Sequence, residues 1–244
     1  GIEDGQTLTI ELNSNTYTGS ISNNSVTITI QSDDLQALSE GSNTITANVS
    51  DLAGNAASQA SYTFTYDKSI PSIDSIVTSW GTHLNSIEDN SNGTITVTTS
   101  GVENGQTLTV TMNSTDYTGS ISNNSVTITV PATNLQALSE GTITIIANVN
   151  DAADNPAPQA STTFIYDKTL PIINSVTTSW GSILNATEDN SNGTVTIATT
   201  GVEDGQIVTI VLNGVSYTGS ISSNSTSITI SSSNLQALTN NTSY

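Results

Sequence analysis

Carboxylates are the side chains of this sequence best able to do chemistry, and they stand beside the same neighbours again and again. Asp67 and Asp167 each lie in a Tyr-Asp-Lys segment, Glu103 and Glu203 each follow Gly-Val, and Asp151 opens the loop Asp-Ala-Ala-Asp-Asn that ends on Asn155. Glu88, Asp89 and Asp204 complete the set, with Asn90, Asn104, Asp116 and Asp154 close by in sequence. Carboxylate, amide and carbonyl oxygens, about six to eight together, are what Ca2+ binds. Carboxylates crowded together without a cation would repel one another.

Other chemistries are poorly provided for. The absence of cysteine excludes disulfides, thiolate nucleophiles and cysteine-based zinc sites. His83 is the only histidine, and 100 positions later Ile183 takes its place, so no Ser-His-Asp base recurs. Glu88 and Asp89, neighbours in one loop, are poorly placed to flank a glycosidic bond from opposite sides. No phosphate-cradling loop, HExxH or EF-hand spacing occurs, and the expectation is a protein that is not an enzyme. Trp80 and Trp180 recur in Thr-Ser-Trp-Gly beside a strand end, which points to packing before sugar stacking. With 21 acidic residues against two basic ones the formal charge is −19. That balance disfavours nucleic acid and anionic membranes as partners. No apolar run approaches the roughly 18 residues of a membrane span, and the first residues lack a basic n-region. The sequence therefore reads as having no membrane insertion and no signal peptide, and as a section cut from a longer chain at both ends.

The elements that position the carboxylates follow from an internal repeat. YTGSISNNSVTITI at Tyr17 returns as YTGSISNNSVTITV at Tyr117 and YTGSISSNSTSITI at Tyr217. GIEDGQ, GVENGQ and GVEDGQ start at Gly1, Gly101 and Gly201, and LQALSEG occurs at Leu35 and Leu135. A period of that length is one small domain, too long for a solenoid turn. Within the one complete repeat, Thr alternates with Ile, Val, Leu or Met in seven segments: 72–78, 94–100, 107–112, 116–121, 125–130, 142–150 and 160–166. Such alternation marks half-buried strands. The inward set is Ile95, Val97, Leu108, Val110, Met112, Tyr117, Ile121, Val126, Ile128, Val130, Ile143, Ile145, Val149, Phe164 and Tyr166. Leu135 and Leu138, three apart after Asn134, suggest one helical turn between the fifth and sixth strands.

Seven short strands, each with one apolar face, predict an all-β protein of tandem immunoglobulin-like, seven-stranded Greek-key β-sandwiches in an extended rod. Pro71 and Pro171 end linkers of only a few residues. The expected domains are a partial repeat at 1–67 lacking its first strand, a complete repeat at 68–167, and a partial repeat at 168–244 lacking its last two strands. Alternating strand directions then sort the acidic loops by pole. Glu103, Asn104, Asp151, Asp154 and Asn155 fall at the N-terminal pole of the complete repeat beside Asp67. Glu88, Asp89, Asn90 and Asp116 fall at its C-terminal pole near Asp167, facing Glu203 and Asp204. The strands are almost uncharged, so charge is confined to the loops, which favours a Ca2+ site at one joint at least; the competing reading is that Asp and Asn here simply form solvated turns.

The run SWGTHLNSIEDNSNGTITVTTSGVENGQTLTVTMN from Ser79, the run DLAGNAASQASYTFTYDKSIP from Asp51, and their copies resemble the bacterial Ig-like repeats of large biofilm-associated and RTX-type adhesins of Gram-negative bacteria. The resemblance spans the whole chain. It implies an extender region, secreted by a type I system and displayed on the cell surface, with Ca2+ at the domain junctions. Many copies in series would then hold a ligand-binding module, outside this sequence, away from the cell. Its partners are neighbouring repeats of the same chain, and a host or surface ligand reached through that outer module. A second function class remains, an Ig-like module that itself binds a glycan or protein. Its loops would be those that differ between repeats, Thr82–Leu84 against Ser182–Leu184 and Leu52–Gly54 against Ala152–Asp154. Near-identity of the other loops favours the spacer.

Overall fold

The computed structural model describes residues 2–244, which divide into two compact units, one running to Tyr166 and the other from Asp167 to Tyr244. All seven expected strands of the middle repeat are present in the first unit. One sheet has the order Ser125–Val130, Gly93–Ser100, Ser72–Thr78. The other has the order His83–Leu84, Ala160–Tyr166, Gly141–Asn148, Thr107–Met112, Thr115–Ser120. Both are antiparallel except where the two-residue strand His83–Leu84, which the sequence reading omitted, runs parallel to Ala160–Tyr166. The inner faces close on Ile95, Val97, Leu108, Val110, Ile145 and Phe164, all at 2% exposure or less. Every inward residue predicted from the alternation is buried there or packed against that core.

Local chemistry sets the turns. Asn113 and Ser114, with φ of 49° and 58°, join Thr107–Met112 to Thr115–Ser120 in a two-residue hairpin that demands left-handed backbone at both positions. The helical turn is Ala132–Gln136, and Leu135 and Leu138 insert from it into the core. A 3-10 turn, Glu88–Asn90, was not anticipated.

The same sequences behave differently in the outer repeats. Residues 7–66 make one four-stranded sheet, Asn15–Ser20, Thr7–Leu12, Gly41–Asn48, Ala60–Tyr66. Residues 25–30 form no strand there. Their counterparts in the middle repeat pair with Gly93–Ser100. Among the described residues of the first repeat, no strand corresponds to Ser72–Thr78 or to Gly93–Ser100. The second unit has a three-stranded sheet, Ile172–Thr178, Gly193–Thr200, Ser225–Ile230, and a separate hairpin, Ile207–Leu212 with Val215–Ser220. Its smaller core is Val195, Ile197, Ile228, Ile230 and Leu235.

Candidate functional site

Of the predicted ligands, the structure draws Asp67, Glu103, Asp151 and Asn155 into one hydrogen-bonded knot within the first unit. The loop after Gly141–Asn148 folds around the carboxylate of Asp151, which is 1% exposed. One oxygen of Asp151 accepts the amides of Ala153 at 2.9 Å and Asn155 at 2.8 Å, and the other accepts the Asn155 side-chain Nδ2 at 2.9 Å. Burial pushes the Asp151 carboxyl up, but these donated hydrogen bonds outweigh it and hold the group below its ordinary range. Glu103 Oε2 accepts the amide of Ala152 at 2.8 Å, pinning the loop from the neighbouring strand connection. Asn155 Nδ2 also donates to the main-chain carbonyl of Asp67 at 3.2 Å, so the loop reaches the segment that enters the repeat. The Asp67 carboxylate caps its own turn, accepting Ser69 N–H at 2.9 Å.

The loop clamp recurs in the first repeat. Glu3 Oε2 accepts Leu52 N–H at 3.1 Å, and Asp51 accepts the amide and side chain of Asn55 at 2.7 and 2.8 Å. Equal spacing of Glu3 from Asp51 and of Glu103 from Asp151 is the sequence signal for this pairing.

The other candidates do different work. Asp89 is 5% exposed and accepts the hydroxyl of Tyr166 at 2.7 Å, a bond across 77 residues that sequence reasoning missed. Burial first, then the Asp89 carboxylate, push the Tyr166 hydroxyl up to about 12. Glu88 accepts the Asn85 amide at 3.1 Å. Asp167 accepts Thr169 N–H at 2.8 Å, and Asp204 accepts Ser223 N–H at 2.7 Å, as Asn104 does for Asn123. Asp116 accepts the Thr111 hydroxyl at 2.6 Å. For Glu203, the main-chain carbonyl accepts Gln206 N–H. Glu88 and Asp89 belong to the first unit, and Asp167, Glu203 and Asp204 to the second.

Calcium suits this donor set in kind, since the knot offers carboxylate, amide and main-chain oxygens and no nitrogen or sulfur ligand. Among the described residues no three acidic or histidine side chains are gathered as a metal-holding group. Asp151 engages its own loop instead. Trp80, 7% exposed, meets Phe164 edge-on with ring centroids 5.2 Å apart, so its ring belongs to the core. His83 is exposed, its Nδ1 3.0 Å from the Thr82 hydroxyl. No helix of the described residues is long and apolar enough to cross a membrane, which leaves β-barrels aside.

Residues 2–68 match the model of the bacterial Ig-like domain family. No curated protein matches. Among solved structures, the chain is similar to a Ca2+-stabilized adhesin that helps an Antarctic bacterium reach out and bind ice, at 24% identity and TM-score 0.42, over 97% of this chain and 59% of that one. It is also similar to part of a 1.5-MDa bacterial ice-binding adhesin, at 23% identity and TM-score 0.44, over 95% of this chain and 77% of that one. A tetra-tandem repeat from the extending region of a large adhesion protein is similar at 18% identity and TM-score 0.36, over 93% and 59%. The chain thus spans about three fifths of the first of these structures. Residues 2–68 match the bacterial Ig-like domain family, and the motifs of that stretch recur at a fixed period through the rest of the chain.

Proposed function

We propose that this chain is a stretch of extender from a secreted, surface-displayed bacterial adhesin, whose sandwiches in series hold a binding module away from the cell in support of adhesion and biofilm formation. The observation that carries this reading is the repetition of structure down to the loop clamp, Glu3 on Leu52 and Glu103 on Ala152, with no nucleophile and base repeated beside it. Loops that vary little suit a spacer, whereas a ligand surface calls for one divergent set. The reading has each domain end at its Tyr-Asp-Lys segment, with joints at Asp67 and Asp167.

Calcium would be held at the first joint by Asp67, Glu103, Asp151 and Asn155, neutralising carboxylates of a chain that carries a net charge of −19 and stiffening the joint. Asp167, Glu203 and Asp204 are the donors proposed within the second unit. The protein's own residues already fold the loop, so calcium acts as a ligand of the native state and stabilises it by mass action. Free calcium at a hundred times the dissociation constant should raise the melting temperature by roughly 10 °C. In Glu103→Gln, which keeps an acceptor for Ala152 N–H but loses the charge, most of that rise should vanish. An unchanged melting temperature on adding millimolar calcium to the wild-type chain would overturn the calcium reading.

A further inference from the structure

Asn-Gly pairs are the sequences in which a backbone amide most readily attacks the preceding side chain, because glycine puts no Cβ in the way. The chain has four, at Asn92, Asn104, Asn192 and Asn213. Three are held. Asn92 Oδ1 accepts Ala132 N–H at 3.0 Å and Asn192 Oδ1 accepts Ser232 N–H at 2.9 Å, while Gly93 and Gly193 are buried beneath Trp80 and Trp180. Asn104 Oδ1 accepts Asn123 N–H at 2.7 Å, and the would-be nucleophile, Gly105 N–H, donates to Ile121 O at 2.9 Å.

Asn213 is different. It forms the tip of the hairpin between Ile207–Leu212 and Val215–Ser220, with φ of 49°, followed by Gly214 at 76°. Both residues are exposed, and the position of a Cβ at Gly214 would meet nothing within 4 Å. Among the described residues no hydrogen bond restrains the Asn213 side chain or the Gly214 N–H. Fewer restraints make local opening at the tip easier.

We infer that Asn213 is a site of spontaneous deamidation, and that it is the one Asn-Gly pair of the four that reacts in the folded protein. The Gly214 nitrogen, on losing its proton, bonds to Asn213 Cγ, and the C–N bond of the amide breaks to release ammonia. Water then opens the five-membered succinimide at either carbonyl, leaving aspartate or isoaspartate. The isoaspartate product routes the main chain through the side-chain methylene, which the two-residue turn cannot accommodate, and either product adds a negative charge.

Peptide mapping by mass spectrometry after incubation of the folded chain at mildly alkaline pH tests this. Conversion at Asn213 should run at least about tenfold faster than at the other three, each of which must first lose a hydrogen bond. In denaturant all four should convert at similar rates. Gly214→Ser restores the Asn-Ser hairpin that the middle repeat carries at Asn113 and Ser114, and should bring conversion at 213 down to the level of the other three. Conversion at Asn92, Asn104 or Asn192 that matches or precedes Asn213 in the folded chain would overturn the inference, as would undiminished conversion in the serine variant.

Discussion

Residues 25–30 and 125–130 differ only at the last position, Ile30 against Val130, yet one segment is a strand and the other is not. In the middle repeat Ser125–Val130 pairs along its whole length with Gly93–Ser100, and Val126, Ile128 and Val130 are 7%, 4% and 0% exposed. In the first repeat no described strand pairs with residues 26–30, and Val26, Ile28 and Ile30 are only half-buried. Alternation thus decides which face of a segment is apolar, while strand formation waits on a partner whose backbone groups can be satisfied. The third repeat makes the same point from the other side. Its Ile173 and Val176 are 63% and 58% exposed, while Ile73 and Ile76 pack against the middle core.

Substitution at the matched isoleucines should sharpen this contrast most. Ile128→Ala opens a cavity in a closed core and should cost about 2–4 kcal/mol, whereas Ile28→Ala should cost about 1 kcal/mol or less. Denaturant unfolding of both variants followed by far-UV circular dichroism, with Trp80 fluorescence in a Trp180→Phe background reporting on the middle repeat alone, separates the two costs. Equal costs at the two sites would show that the first repeat is packed as tightly as the second.

A smaller difference is expected at Gly93 and Gly193. A Cβ at Gly93 would fall 2.3 Å from Trp80 Cζ3, and one at Gly193 falls equally close to Trp180. Trp80 is locked between the sheets while Trp180 is half-buried and has room to swing. Gly93→Ala should therefore cost about 1–3 kcal/mol with a red shift of Trp80 emission, and Gly193→Ala clearly less.

The smallest effect concerns alkaline pH. Tyr166 is held neutral to about 12 from an ordinary 10 by burial and by Asp89. Its folded value lies above its unfolded one, so its contribution is fully present below pH 10 and is lost as pH climbs from 10 towards 12. Tyr166→Phe should flatten the melting-temperature profile of the middle repeat over that window, while costing about 1–3 kcal/mol at neutral pH by leaving Asp89 without its donor. A profile as steep in the phenylalanine variant would exclude Tyr166 as its source.

Much of the middle sandwich was legible because Thr alternates with aliphatic residues in segments long enough to carry a period. His83–Leu84 carries none in two residues, and its parallel pairing with Ile165 and Tyr166 depends on a distant strand. The site was legible in part. Recurrence pointed to Glu103 and Asp151, but nothing local indicates that Asp89 bonds Tyr166, or that Asn155 bonds the Asp67 carbonyl across 88 residues. Nor does acidity distinguish a carboxylate turned on its own loop amides, like Asp151, from one left to bind an ion.

The joint at Asp67 is where the extender reading is most directly exposed to test. The chain has no cysteine, so Thr63→Cys and Thr129→Cys, both on exposed outer positions on either side of the joint, accept spin labels cleanly. The distance distribution between them should be narrow in millimolar calcium and broaden in excess chelator, with Glu103→Gln broad in both. Distributions of equal width with and without calcium would contradict a calcium-stiffened joint and leave the acidic loops as turns held by their own amides.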